Sequence, residues 1–163
     1  MHKAHVIQDL RRSLDLVLPC FDWDPALLAR RYAPGKWTAR EVLGHLTDAE
    51  IAFQARLRQI LSEPGSPVAP FDPDRWARTL AYPQRSVSLM RRLFEAARLS
   101  MIELVDLVPE PLFGRQGAHP RHASYRAWDV VTRAATHTLH HYGQLEAARD
   151  GRVWEPSPPA GAP

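Results

Sequence analysis

Residues 38–62 read TAREVLGHLTDAEIAFQARLRQILS, and their reading decides the fold. Thr38-Ala39-Arg40-Glu41 has the form of a capping box: the threonine oxygen accepts the third backbone N–H of a new helix, and the glutamate reaches back to the cap. Trp37, just before the cap, is placed to staple the incoming chain. Val42, Leu46, Ala49, Phe53, Leu57 and Ile60 then recur at helical spacing and form one apolar stripe ending near residue 62. A helix with one apolar stripe needs other elements to bury it against.

The prolines show where those elements lie. The chain has 15 of them, and a proline inside a helix costs about 3 kcal/mol. Three long stretches lack proline, 35–63, 84–108 and 121–155, and each is expected to hold a helix. Before them, Val6, Leu10, Leu14, Val17 and Leu18 predict a helix over about 4–18. A short helical turn is expected in DPALLARR, with Asp24 as cap and Pro25 at the first helical position. The third long helix should run from about 85 to 107, its stripe made by Val87, Met90, Leu93, Phe94, Ala97, Met101, Leu104 and Leu107. For the fourth, Ser124 is the candidate N-cap, and Asp150-Gly151 gives a stop signal.

Between these helices lie two long connections. Residues 63–84 carry five prolines and a possible helical turn at DRWARTL; PEPLFGRQGAHPRH precedes the last helix. Loops of this length in a compact domain are often functional or crossovers. No stretch reads as a strand, so the expectation is an all-α four-helix bundle. One domain should span 1–154, followed by a disordered Pro-rich tail, 155–163 (EPSPPAGAP).

Composition excludes several classes. The hydrophobic fraction of 45% and charged fraction of 24% are those of an ordinary globular domain. No apolar run is long enough for a membrane span. Charges interrupt the N-terminal apolar stretch, which argues against a signal peptide and for a cytoplasmic location. Arginine dominates the basic residues, but without a basic block or aromatic ladder, so direct nucleic-acid binding is not expected. Cys20, the lone cysteine, sits among Leu, Val and Phe and reads as a small buried hydrophobe.

The chemistry-bearing residues are histidines. In THTLHHYGQ (136–144), His137 and His141 stand at i, i+4 and can point at one ion. His137 and His140 are also compatible at i, i+3, but 140 and 141 diverge by about 100°. The spacing alone leaves metal binding and an ordinary helix surface both open. The stretch lacks the HExxH glutamate, which disfavours a zincin-type protease. His45 borders the stripe of the second helix, where a hydrogen-bonded core histidine is one reading. Facing helices of a bundle are also where metal sites are built. Three histidines would leave a coordination position open, as in catalytic sites.

GKWTAREVLGHLTDAE resembles the second-helix signature of the DinB/YfiT-like proteins, and HTLHHYGQLEAAR resembles their fourth-helix signature. The resemblance extends over roughly residues 4–150 and implies a mirror variant of the up-and-down bundle. It implies His45, His137 and His141 as ligands of a divalent metal, Ni, Zn, Fe or Mn. It also implies a small-molecule substrate: some members transfer low-molecular-weight thiols such as bacillithiol, mycothiol or glutathione to electrophiles. Homodimers are frequent among them. A metal-dependent thiol S-transferase or related hydrolase is therefore expected, with a non-catalytic metal-binding stress or interaction module as the alternative.

Around such a site, Asp48 is the candidate for proton transfer or ligand orientation, Glu41 being accounted for by its capping box. Gln144 lies one turn beyond His141 and can hydrogen-bond there. Gly143 costs about 1 kcal/mol in a helix interior, which suggests close approach of another helix. His119 and His122 are expected to be solvent-exposed, as are His2 and His5. Trp37, Trp76 and Trp128 are expected in the core or a dimer interface rather than as substrate platforms.

Overall fold

The computed structural model describes residues 3–120 and 124–155. Six α-helices occur among them: α1 (Lys3–Val17), α2 (Pro25–Leu28), α3 (Ala39–Ser62), α4 (Pro73–Thr79), α5 (Val87–Leu107) and α6 (Ala127–Asp150). Short 3-10 turns at Leu18–Asp22, Tyr82–Gln84 and Glu110–Gly114 lie in the connections. The described residues contain isolated β-bridges but no strand. None of their helices is long and apolar enough to cross a membrane.

Local chemistry accounts for most helix starts. The capping box at Thr38 is present in full, with Thr38 Oγ1 accepting from Glu41 N–H and Glu41 Oε2 accepting from Thr38 N–H. Asp24, Asp72 and Ser86 cap α2, α4 and α5, each side chain accepting the backbone N–H three residues on. The last helix departs from expectation. It starts at Ala127 rather than after Ser124, and Asp129 accepts from the Arg126 backbone N–H at 2.7 Å. Just before it, Tyr125 has its ring buried and its carbonyl accepts from Gly117 N–H. Gly151, at φ 69°, ends α6 in the left-handed conformation open to glycine.

α1, α3, α5 and α6 form a four-helix bundle. α1 and α3 each pack against both α5 and α6, so these pairs face each other across diagonals. The chain therefore crosses a diagonal between α1 and α3, and again between α5 and α6. An up-and-down bundle would instead step between neighbours.

The core falls into two apolar clusters. One is centred on Leu57, Ile60, Met101, Phe113 and Val130, the other on Leu14, Val42, Leu46, Phe94 and Leu145. The stripes of α1 and α3 are buried as expected, apart from a half-buried Leu18. That of α5 is rotated: Leu93 is 42% and Leu107 72% exposed, whereas Arg98 is fully buried. Arg98 is admitted because Glu50 meets it with both oxygens, at 2.8 and 2.7 Å. Its remaining N–H groups reach the Leu10 carbonyl and Ser13 on α1, and the Ala134 carbonyl and Thr138 on α6. Every helix of the bundle thus meets at one guanidinium.

The two connections are tied together where Pro67 bridges Ala118. Gly117 makes this possible, since a Cβ there would lie 2.7 Å from Val68 and 2.9 Å from Ile60. Outside the described residues lie His2, His122 and all of the expected tail except Glu155.

Candidate metal centre

α3 and α6 pack side by side, which brings His45 against His137 and His141. The Nε2 atom of His137 lies 3.0 Å from that of His45 and 3.2 Å from that of His141. His45 and His141 are buried, and His137 is half-buried. His140 points elsewhere: it is exposed, with its ring 4.7 Å from that of Trp154. The i, i+4 pair, not the i, i+3 pair, therefore faces α3.

The three imidazoles do not satisfy one another. Gln144 Oε1 lies 2.7 Å from His141 Nδ1, so that nitrogen carries the proton and Nε2 presents a lone pair. His137 Nε2, if protonated, donates to only one of its two neighbours. His45 Nδ1 is buried without a hydrogen-bond partner among the described residues. Burial, reinforced by the neighbouring imidazoles, holds His45 down to about 3 and His137 to about 2. Burial lowers His141 to about 4, against the opposing hydrogen bond that its Nδ1–H donates to Gln144. Protonation is thus no remedy for the close nitrogens.

A divalent cation is. Tetrahedral Zn–N bonds of about 2.0–2.1 Å place ligand nitrogens roughly 3.3 Å apart, close to the two contacts observed. The residues present therefore fit a three-histidine metal site. Gln144 fixes the His141 tautomer from behind, as residues outside a metal's ligand set commonly do.

A cavity of about 310 Å³ opens over the cluster. Trp37, Phe53, Phe71 and Tyr125 supply aromatic walls, with Pro70 and Pro73 from the long connection after α3. Arg56, Arg133 and His119 also face it. Two expectations change here. His119 reaches the cavity because the Pro67–Ala118 bridge carries its loop toward α3. Trp37 forms part of the wall, its ring 5.0 Å from that of His45, while also packing on the core. Trp76 stacks on Phe71 and Trp128 on Phe113.

The other singled-out residues lie apart from this wall. Asp48 is buried with Oδ1 2.7 Å from Arg85 Nη1. Burial first, and then Asp48, raises the neighbouring Tyr82 phenol well above its ordinary value. Glu41 serves the cap of α3. Gly143 accommodates the Trp154 side chain rather than another helix: a Cβ would stand 2.8 Å from its Nε1. Cys20 is buried, and burial pushes its thiol up to about 12, which makes it inert as a nucleophile.

A family model described as the DinB superfamily matches residues 8–145. The chain belongs to the DinB superfamily. This DinB chain is 27% identical over 149 residues to a protein of Oceanobacillus iheyensis named "Putative metal-dependent hydrolase", a match spanning 91% of this chain and 84% of the relative. A Geobacillus thermodenitrificans protein with the same designation is 27% identical over 128 residues, covering 76% of this chain and 70% of its own. Among solved structures, YfiT from Bacillus subtilis, described as having an unusual four-helix bundle topology, superposes with a TM-score of 0.83 at 21% identity. That match covers 91% of this chain and 87% of YfiT. The DinB fold seen here is the same bundle.

Proposed function

We propose that this chain is a metal-dependent enzyme, with His45, His137 and His141 holding one divalent ion, and that it transfers a low-molecular-weight thiol to an electrophilic small molecule. One observation carries the reading. The three-imidazole cluster forms part of a cavity whose described lining contains no serine, threonine, cysteine or carboxylate. We therefore assign the attacking group to an exogenous molecule, a thiol or water, rather than to a side chain of the wall. A bound divalent ion supplies Lewis acidity, which makes an exogenous thiol or water nucleophilic at neutral pH.

The chain's own residues do the rest. Three neutral imidazoles leave the charge of an ion uncompensated, which favours an anionic incoming group. Gln144 keeps the His141 lone pair aimed at the cluster. Trp37, Phe53 and Phe71 exclude water from one side of the cavity. Asp48 is assigned a positioning role through α3, as its carboxylate lies against Arg85 and Tyr82 rather than in the cavity wall. Hydrolysis is the second reading, supported by the designations of the relatives.

The deciding experiment uses cobalt-substituted protein. Added thiols should produce a sulfur-to-cobalt charge-transfer band, and free thiol should disappear when an electrophile follows. Ester cleavage without the band selects hydrolysis. Metal binding with neither activity selects a non-catalytic module. A homodimer is also proposed, supported by Leu89 and Leu93 standing exposed on one face of α5; sedimentation equilibrium tests it.

A further inference from the structure

The cavity carries an unbalanced charge. Arg56 and Arg133 face it, together with the three-histidine cluster, and no Asp or Glu is among its described lining residues. A neighbouring hollow that shares Trp37 is different: its Arg31, Lys36 and Arg78 are accompanied by Glu41 and Asp74. Cations are common on this surface. Cations around a cavity with no acid among them are the unusual feature.

The two guanidiniums differ in how they are held. Arg56 lies over the rings of Phe53 and Phe71, at 5.5 Å from the Phe71 centroid, and its Nη2 donates to the Ala69 carbonyl at 2.7 Å. The fork is thereby fixed against an apolar wall, while its other N–H groups make no hydrogen bond among the described residues. Arg133 stands on α6 one turn before His137, and its side chain forms no ion pair or hydrogen bond among the described residues. A planar guanidinium with free N–H groups matches the geometry of an oxyanion such as a carboxylate. Low-dielectric aromatic walls strengthen that attraction and concentrate anions in the cavity.

We propose that Arg56 and Arg133 form an oxyanion subsite, so that the small molecule taken here carries a carboxylate or similar anionic group in addition to the atom that reacts at the histidine cluster. The subsite deepens the function proposed above and rests on it for the identity of the reacting end. Aromatic walls between the two ends suit an apolar spacer.

The test is calorimetric titration of zinc-loaded protein with 3-sulfanylpropionate and 6-sulfanylhexanoate, each beside its neutral amide. The two lengths allow for different separations of thiol and anion. At least one carboxylate should bind roughly tenfold or more tightly than its amide, a charge-assisted contact being the difference. Arg133→Gln, at an exposed position, should bring that ratio near 1. Arg56→Gln should lower it, and Arg56→Lys, which keeps the charge without the fork, should retain part of it. Equal affinity for acid and amide, no binding of any probe, or a preference that survives both glutamine substitutions overturns the subsite. The cobalt charge-transfer band, read on the same probes, reports separately whether the thiol meets the metal. A retained acid preference without that band leaves the subsite standing and sinks the thiol reading.

Discussion

Two buried polar centres lie close together in this bundle, and they are built in opposite ways. At Arg98, the guanidinium is saturated: Glu50 meets it with two oxygens, and α1 and α6 supply further acceptors. At the histidine cluster, nitrogens face each other and His45 Nδ1 has no partner among the described residues. The two are coupled through neighbours in sequence, since Thr138 of the first follows His137 of the second. A buried charge is tolerated where every hydrogen-bonding group is met; buried lone pairs left facing one another are tolerated where a cation completes them. The first centre joins all four helices, and the second lies between α3 and α6.

Replacing His137 by alanine should break the second centre alone. Metal content after dialysis should fall from about one ion per chain to near zero, since two imidazoles make a poor site for a divalent ion. The metal-dependent rise in thermal midpoint should vanish with it. Full loading of the variant, measured by elemental analysis, would remove His137 from the ligand set.

Arg98→Met attacks the other centre. It strands the Glu50 carboxylate in the core and should cost about 3–5 kcal/mol in urea denaturation of the metal-free protein. Adding Glu50→Leu should recover much of that loss, because no unpaired charge then remains. If the single variant is as stable as the native chain, the guanidinium is not holding the bundle.

A subtler change lies between these. Gln144→Leu leaves the three histidines in place but frees the His141 tautomer, and should weaken metal affinity roughly 10–100-fold in competition with a chromophoric chelator. Unchanged affinity would show that the amide does not orient the ring.

The mildest perturbation is pH. In the unfolded chain the three histidines titrate near their ordinary 6.5, whereas burial holds the folded ones between about 2 and about 4. As pH falls below about 6.5, the unfolded state takes up protons that the folded state refuses. The metal-free protein should therefore be steadily less stable from about 6.5 downward, and pH-independent in this respect above it. His137→Ala should flatten that slope. An identical slope in the variant would assign the acid sensitivity to other groups.

How legible was all this in the sequence? The helices were, because caps and stripes are local. Thr38–Glu41 and Asp24–Pro25 act through backbone groups a few residues away, and the α3 stripe is buried as its spacing requires. The start of α6 was not, because Tyr125 is held by the core and by Gly117 rather than by its own neighbours. The α5 stripe was legible only in part: Met90, Phe94 and Met101 are buried as expected, but nothing near Arg98 in sequence announces Glu50, 48 residues away, which brings Arg98 into the core while Leu93 and Leu107 stand exposed. Gly143 signals closeness without naming what comes close, and the neighbour is Trp154 rather than a helix.

The sequence by itself determined the helix content, the i, i+4 histidine pair and, through two motifs, the family to which that pair belongs. These depend on short-range geometry and on residue order. Only the tertiary structure decided which imidazoles meet, that His140 turns away, that His119 and Trp37 reach the cavity, and that no acid is found among its described lining residues. The reason is physical: diagonal crossings between helices set which faces oppose each other, and that depends on packing across the whole bundle rather than on any one segment.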